Sequence, residues 1–180
     1  MDSLGGHLLL SNAALFDPNF RRTVVLIGHH DDDGAVGVVL NRPLEVTVDE
    51  AAPPLAELVQ PGDLVYQGGP VQPQAAVVLA EFEDPSKAGV LALERIGFLP
   101  EEAEPDGLGG IIRARVFAGY AGWGAGQLEN ELDEEAWIVT LALPDDVFHE
   151  EPERLWEDVL ARLGPAYAML RTMPFDPSAN

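Results

Sequence analysis

Two β-branched runs, Val24-Val25-Leu26-Ile27 and Ala35-Val36-Gly37-Val38-Val39-Leu40, flank the segment Asp31-Asp32-Asp33-Gly34. An Asp-Gly step between such runs is a strong turn signal, so a β-hairpin is predicted here. Neither run alternates apolar with polar residues. Both strands therefore require cover on two faces, which puts the hairpin inside a sheet and makes the rest of the chain pack around it. With the turn centred near residues 32 and 33, the antiparallel register sets Arg42 opposite Thr23, and Arg21, Arg22, Asn41 and Arg42 share one end. His30 lies roughly 23 Å from that end at strand rise, so the hairpin separates two candidate sites.

The remaining elements follow from period and punctuation. Pro53-Pro54 ahead of Leu55, Leu58 and Val59 suits a short helix opening at the second proline. Gln67-Gly68-Gly69-Pro70 reads as a tight loop linking two strands, one at Leu64-Val65-Tyr66 and one at residues 75–80. Residues 94–110, with Pro100, Pro105 and several glycines, read as a long acidic loop and the most flexible segment. From Ile111 to Tyr120 a strand is predicted, with Ile112, Ala114, Val116 and Ala118 on its buried face. A glycine loop, residues 119–126, then leads into a helix over 127–135 with Leu128 and Leu132 one turn apart. Trp137 to Leu143 is a further strand. The last helix opens at Pro152, buries Leu155, Trp156, Val159, Leu160 and Leu163, and stops at Gly164-Pro165. Residues 166–180 form a C-terminal tail. No repeat and no domain linker interrupts this order.

A chain of 180 residues with 47% hydrophobic content can bury one good core. Its 31 Asp and Glu against 10 Lys and Arg give a formal charge of −21. Such a surface repels a phosphate backbone, so direct nucleic-acid binding is disfavoured. The absence of cysteine excludes disulfides, thiolate metal sites and a Cys nucleophile. An acidic start, Met1-Asp2, and no apolar run of 18 residues argue for a soluble cytoplasmic protein without a membrane segment.

Chemistry-bearing motifs are few. Gly122-x-Gly124-x-Gly126 lacks the spacing of a dinucleotide fingerprint, and no P-loop lysine follows it. Glu129 and Glu131 in the first helical turn would repel an anion there. The glycines instead turn the chain past Trp123, which serves as core or as a pocket wall. His29-His30-Asp31-Asp32-Asp33 has the composition of a metal site, but neighbouring strand residues face opposite ways, so the segment reads as a solvated hairpin tip and no metal is expected. Arg21, Arg22 and Arg42 either hold a carboxylate or phosphate or pair with the abundant internal acids. No motif calls for a cofactor. The four serines, Ser3, Ser11, Ser86 and Ser178, have no base beside them, which argues against a serine triad. Asp17 and Glu129 are the carboxylates set in unusual motifs.

Four blocks in a fixed order carry a resemblance. They are Asp17-Pro18-Asn19-Phe20-Arg21-Arg22-Thr23-Val24-Val25; His30 with Gly34-Ala35-x-Gly37 and Asn41-Arg42-Pro43; Gly68-Gly69-Pro70-Val71; and Gly119-Tyr120-Ala121-Gly122-Trp123-Gly124-x-Gly126-Gln127-Leu128-Glu129. Together with Trp137 and Leu155-Trp156 they resemble the AlgH/YqgE family of bacterial proteins from residue 5 to about residue 163. Between Leu93 and Ile111 many relatives carry a leucine-patterned helix, where this chain has its acidic loop. The resemblance implies an α/β fold of the α+β type over residues 1–180: a single compact domain whose bifurcated, mostly antiparallel sheet forms a pseudo-barrel with flanking helices. It carries the label of transcriptional regulator from an alginate-synthesis context and no established catalytic set.

Three readings result. The first is a non-enzymatic regulatory or binding module, a monomer with an unidentified small molecule or protein as partner. Its candidate ligand residues are Asn19, Arg21, Thr23, Asn41, Arg42, Gly68, Gly69, Pro70, Tyr120, Trp123, Gln127 and Glu129, expected to converge, with an arginine holding an anionic group and Tyr120 and Trp123 as apolar walls. The second is a hydrolase-like enzyme using Asp17 or Glu129 as acid or base, which requires a desolvated carboxylate of raised pKa. In the third, the motifs serve folding alone.

Overall fold

A computed structural model of the protein describes residues 2–12, 21–101 and 110–172. Asp17 and Asn19, residues 102–109 of the acidic loop and residues 173–180 of the tail lie outside the described residues. The predicted hairpin forms, as β2 (Val24–Asp31) and β3 (Gly34–Val39), between β1 (His7–Ser11) and the long β9 (Ile111–Gly124). β10 (Trp137–Leu141) adds to the far side of β1, and these strands make one antiparallel arm. The second arm contains β4 (Pro43–Thr47), β5 (Leu64–Gln67), β6 (Val71–Phe82), β7 (Val90–Leu93) and β8 (Ile96–Phe98). The order along the main path is β10-β1-β2-β3-β9-β6-β8-β7, with β4 pairing β5 and β5 lying parallel to β9. The sheet is mostly antiparallel and open.

The arms fold over one another and bury apolar residues in three layers. Between them lie Leu8, Leu10, Val24, Leu26, Val38, Leu79, Ile96 and Phe117, closed at one side by α4 (Leu155–Leu163). That helix buries Leu155, Trp156, Val159 and Leu160 on one face, as its period predicts. Each such side chain contributes about 1.5–3 kcal/mol as an upper estimate. The Trp156 indole N–H donates to Ser11 O at 3.1 Å, so this large ring is buried without an orphan donor. The opposite face of the first arm buries Leu9, Val25, Ile27, Ala35, Trp123 and Trp137 beneath α2 (Gln127–Asp133). The hairpin is thus covered on both faces. A third layer joins Val78, Ala80, Phe82 and Val116 to Val48 of α1 (Val48–Ala51), with Leu55 and Leu58 of a 3-10 helix at Pro53–Leu58 packed against it.

Several expectations shift. Gly28 is an extra residue in β2, and beyond this bulge the pairing is Ile27 with Gly37, Leu26 with Val38 and Val25 with Val39. The slip of one residue brings Asn41, not Arg42, level with Thr23. The glycine segment does not form a loop up to residue 126. β9 runs through it to Gly124, because Ala121 to Gly124 pair with β3. Ile112 is 53% exposed, since the pairing with β6 is already irregular at Ile111. Within the presumed acidic loop, Ile96–Phe98 is a strand paired on both sides, by β6 and β7. Residues 166–172 of the tail are helical, with α5 at Ala168–Thr172 following a 3-10 turn at Pro165–Tyr167. α3 (Pro144–Val147) fills the stretch after β10.

Candidate functional site

The order of the motif segments in the sequence acquires a physical meaning at one junction. β9 pairs with β6 as far as Tyr120, with a break between Ala118 and Tyr120, and with β3 from Ala121, so its partners change around Gly119-Tyr120. Gly119 has φ +75°, and a Cβ there would lie 2.7 Å from Gly69 O and 2.8 Å from Val71 O. Gly68 is equally confined, because its own Cβ would run into Gly119 O. The Gly68 N–H donates to Ala118 O and its carbonyl accepts from Val39, which wedges the loop between the two arms. The Arg42 carbonyl accepts from Gln67 N–H at 2.8 Å. Three motif segments therefore meet through their backbones, while Pro70 is exposed at the start of β6.

Asn41 and Arg42 tie down the entry to β2. The Asn41 amide accepts from Val24 N–H at 3.0 Å and donates to Arg22 O at 2.8 Å. The Arg42 guanidinium donates to Arg21 O at 3.0 Å. Arg22 stands 5.2 Å over the Trp156 ring and 3.8 Å from Glu157. Thr23 is fully buried, its N–H donating to Ser11 Oγ. The arginine cluster is engaged with the fold.

Trp123, Gln127 and Glu129 lie at the other end of the hairpin. Trp123 is 6% exposed and meets Trp137 edge to face at 6.2 Å, a place in the second core layer and not a pocket wall. Gln127 Oε1 accepts from Gly124 N–H, joining the end of β9 to α2. His30 corrects the expectation of a solvated tip: it is buried, its Nδ1 accepts from Leu4 N–H at 3.0 Å, and its Nε2–H donates to Glu129 at 2.6 Å. Both ring nitrogens are occupied. This hydrogen bond holds the Glu129 carboxyl below its ordinary range, opposite to the shift an acid catalyst needs. His29, beside it, is exposed and pairs with Asp31 at 2.7 Å. Among the described residues no three His, Asp or Glu side chains are placed to hold a metal.

What the junction does create is a cavity. Between Val71, level with Tyr120, and Ala76, level with Ala118, β6 departs from β9, with Gln72 at φ +46°. On the facing arm, Gly28 leaves room for the Phe98 ring, which a Cβ there would overlap. The space between has a volume of about 720 Å³, within the range of small-molecule sites. Val36, Val38, Val77, Phe98, Leu99 and Tyr120 provide its apolar surface, and Gln72, His29 and Glu101 its polar groups. Of the sequence-derived candidates Tyr120 lines it; Arg42 and Trp123 do not. Pro73, within a strand, is the sequence signal that could have located this wall, since proline in a strand interior marks a bulge.

The comparisons agree with the architecture. UPF0301 proteins of Streptomyces avermitilis and Streptomyces coelicolor are 46% and 45% identical, covering 100% of this chain and 97% of each relative. The crystal structure of protein DIP2367 from Corynebacterium diphtheriae superposes with a TM-score of 0.83 at 27% identity, over 97% of this chain and 94% of that one. The solution structure of the AlgH protein from Pseudomonas aeruginosa gives 0.73 at 32% identity, over 96% and 95%. With the AlgH-like family matched over residues 8–168, the chain belongs to that family.

Proposed function

We propose that the protein is a regulatory binding module that takes a small, largely apolar molecule into the cavity between β6, β8 and the β2–β3 hairpin. The observation that carries this reading is the 720 Å³ space itself, with a predominantly apolar wall and a few polar groups at hand. It lies beside the joint where the motif glycines let the two arms meet backbone to backbone, so the family's unusual loops serve the cavity as well as the fold. Engagement of Arg21, Arg22 and Arg42 within the molecule leaves Tyr120 as the candidate ligand residue on the cavity wall. The charge of −21 favours a regulatory partner other than nucleic acid. For the acid/base reading, Glu129 supplies no raised pKa, and Asp17 lies outside the described residues.

The test is a thermal-shift screen of amphiphiles and aromatic metabolites against the wild type and Ala75→Trp, which places an indole in the cavity from a half-buried position on its wall. Ligand at 100 times its Kd stabilises by about 2.7 kcal/mol, several degrees in Tm for a chain of this size. The reading predicts at least one hit that Ala75→Trp abolishes while its circular dichroism remains native. Hits unaffected by the plug would contradict it.

A further inference from the structure

We infer that the occupant of this cavity is a cationic amphiphile, an alkyl or aryl chain ending in an amine or quaternary ammonium group; the inference rests on the cavity being a binding site. Among the described residues the lining contains no lysine or arginine. Among the described lining residues the ionisable side chains are Glu101, His29 and Tyr120, and His29 is already turned to Asp31. An anionic ligand would thus bury its apolar part with no cation to meet its charge, inside the field of a molecule carrying −21. A cation gains on each count. It can approach the Glu101 carboxylate, and the Tyr120 and Phe98 rings offer negative π faces that attract ammonium groups. The apolar requirement is visible at the rim as well, where Val36 and Val90 are each 44% exposed. Such a ligand would cover both while its head group stays near Glu101.

The experiment compares octyltrimethylammonium, octanoate and tetramethylammonium, all below micelle-forming concentrations, by isothermal titration into the full chain at low salt. The expected result is octyltrimethylammonium binding at least tenfold tighter than octanoate, with tetramethylammonium far weaker than either octyl compound. Glu101→Gln, at an exposed position, should narrow the preference at least threefold, and 0.5 M salt should narrow it further. Ala75→Trp should remove binding of the octyl cation, with Ala76→Trp as a second plug if the first does not fold. Octanoate binding as tightly as the cation would overturn the inference while leaving the cavity reading intact. Octyl cation binding that survives both plugs, or tetramethylammonium binding equally well, would also overturn it by assigning the attraction to the acidic surface. Failure of every octyl compound to bind would remove the cavity reading itself.

Discussion

Gly119 and Gly126 share a φ of +75°, but only one sits in a crowd, and this pair measures what the junction costs to disturb. At Gly126 a Cβ would meet nothing within 4 Å, so Gly126→Ala incurs backbone strain alone. A left-handed alanine costs about 1–2 kcal/mol, and loss of unfolded-state freedom returns about 0.4–1 kcal/mol, leaving a net loss of about 0–1.6 kcal/mol. Gly119→Ala adds contacts of 2.7 and 2.8 Å to the carbonyl oxygens of Gly69 and Val71. Both are backbone atoms of the opposing loop and strand, so relief requires moving β6 away from β9. Overpacking of this kind costs about 1–3 kcal/mol more. Urea unfolding followed by fluorescence suits the comparison, because Trp123, Trp137 and Trp156 are all buried. The expected result is Gly119→Ala less stable than Gly126→Ala by about 1–3 kcal/mol at unchanged m-value. Equal losses for the two variants would refute the claim that Gly68-Gly69 and Gly119 form an interlocked joint.

Other consequences follow from single contacts. Asn41→Ala strips the fully buried Val24 of its N–H acceptor and should cost about 1–3 kcal/mol by the same unfolding assay. Asp146→Ala removes a buried carboxylate that binds Arg162 at 2.9 and 3.0 Å and accepts from Leu143 N–H. Because Arg162 is 37% exposed and can rehydrate, the expected loss of about 2 kcal/mol in thermal unfolding falls below that of a fully buried pair. Glu129 is held below its ordinary 4.5 by the hydrogen bond from His30. A carboxylate depressed in the folded state adds stability that is present above its unfolded value and lost as pH falls through the folded one. The wild type should therefore lose stability more steeply below pH 4.5 than Glu129→Gln, as read from Tm against pH.

The sequence discloses the centre of the fold better than its margins. Local signals suffice where an element is defined by its own residues: the Asp33-Gly34 turn and the Leu155, Trp156, Val159 and Leu160 face of α4 form as read, and the strand opening at Trp137 forms but ends at Leu141, two residues short of Leu143. β7 and β8 escape notice because each is only three or four residues long and is stabilised by pairing with strands elsewhere. The bulge at Gly28 changes the register by one residue without any local turn signal, and it exists beside the ring of Phe98, seventy positions away. His30 reads as exposed because it follows His29 and precedes three aspartates. Its burial is made possible by Leu4 and Glu129, which are 26 and 99 residues distant. The candidate site shows the same division. The backbones of three motif segments meet at the junction, but seven of the eighteen described wall residues are valines and alanines whose significance depends on the folding of one arm over the other.

The most direct test of the cavity as a binding site is a methyl-resolved NMR titration of the wild type with octyltrimethylammonium. The account predicts saturable shifts concentrated on Val36, Val38, Val77, Val78, Val90 and Leu99, which line that space. Shifts centred instead on Val25, Ile27 and Leu128, the core layer beneath α2, or spread without saturation over the acidic surface, would contradict it.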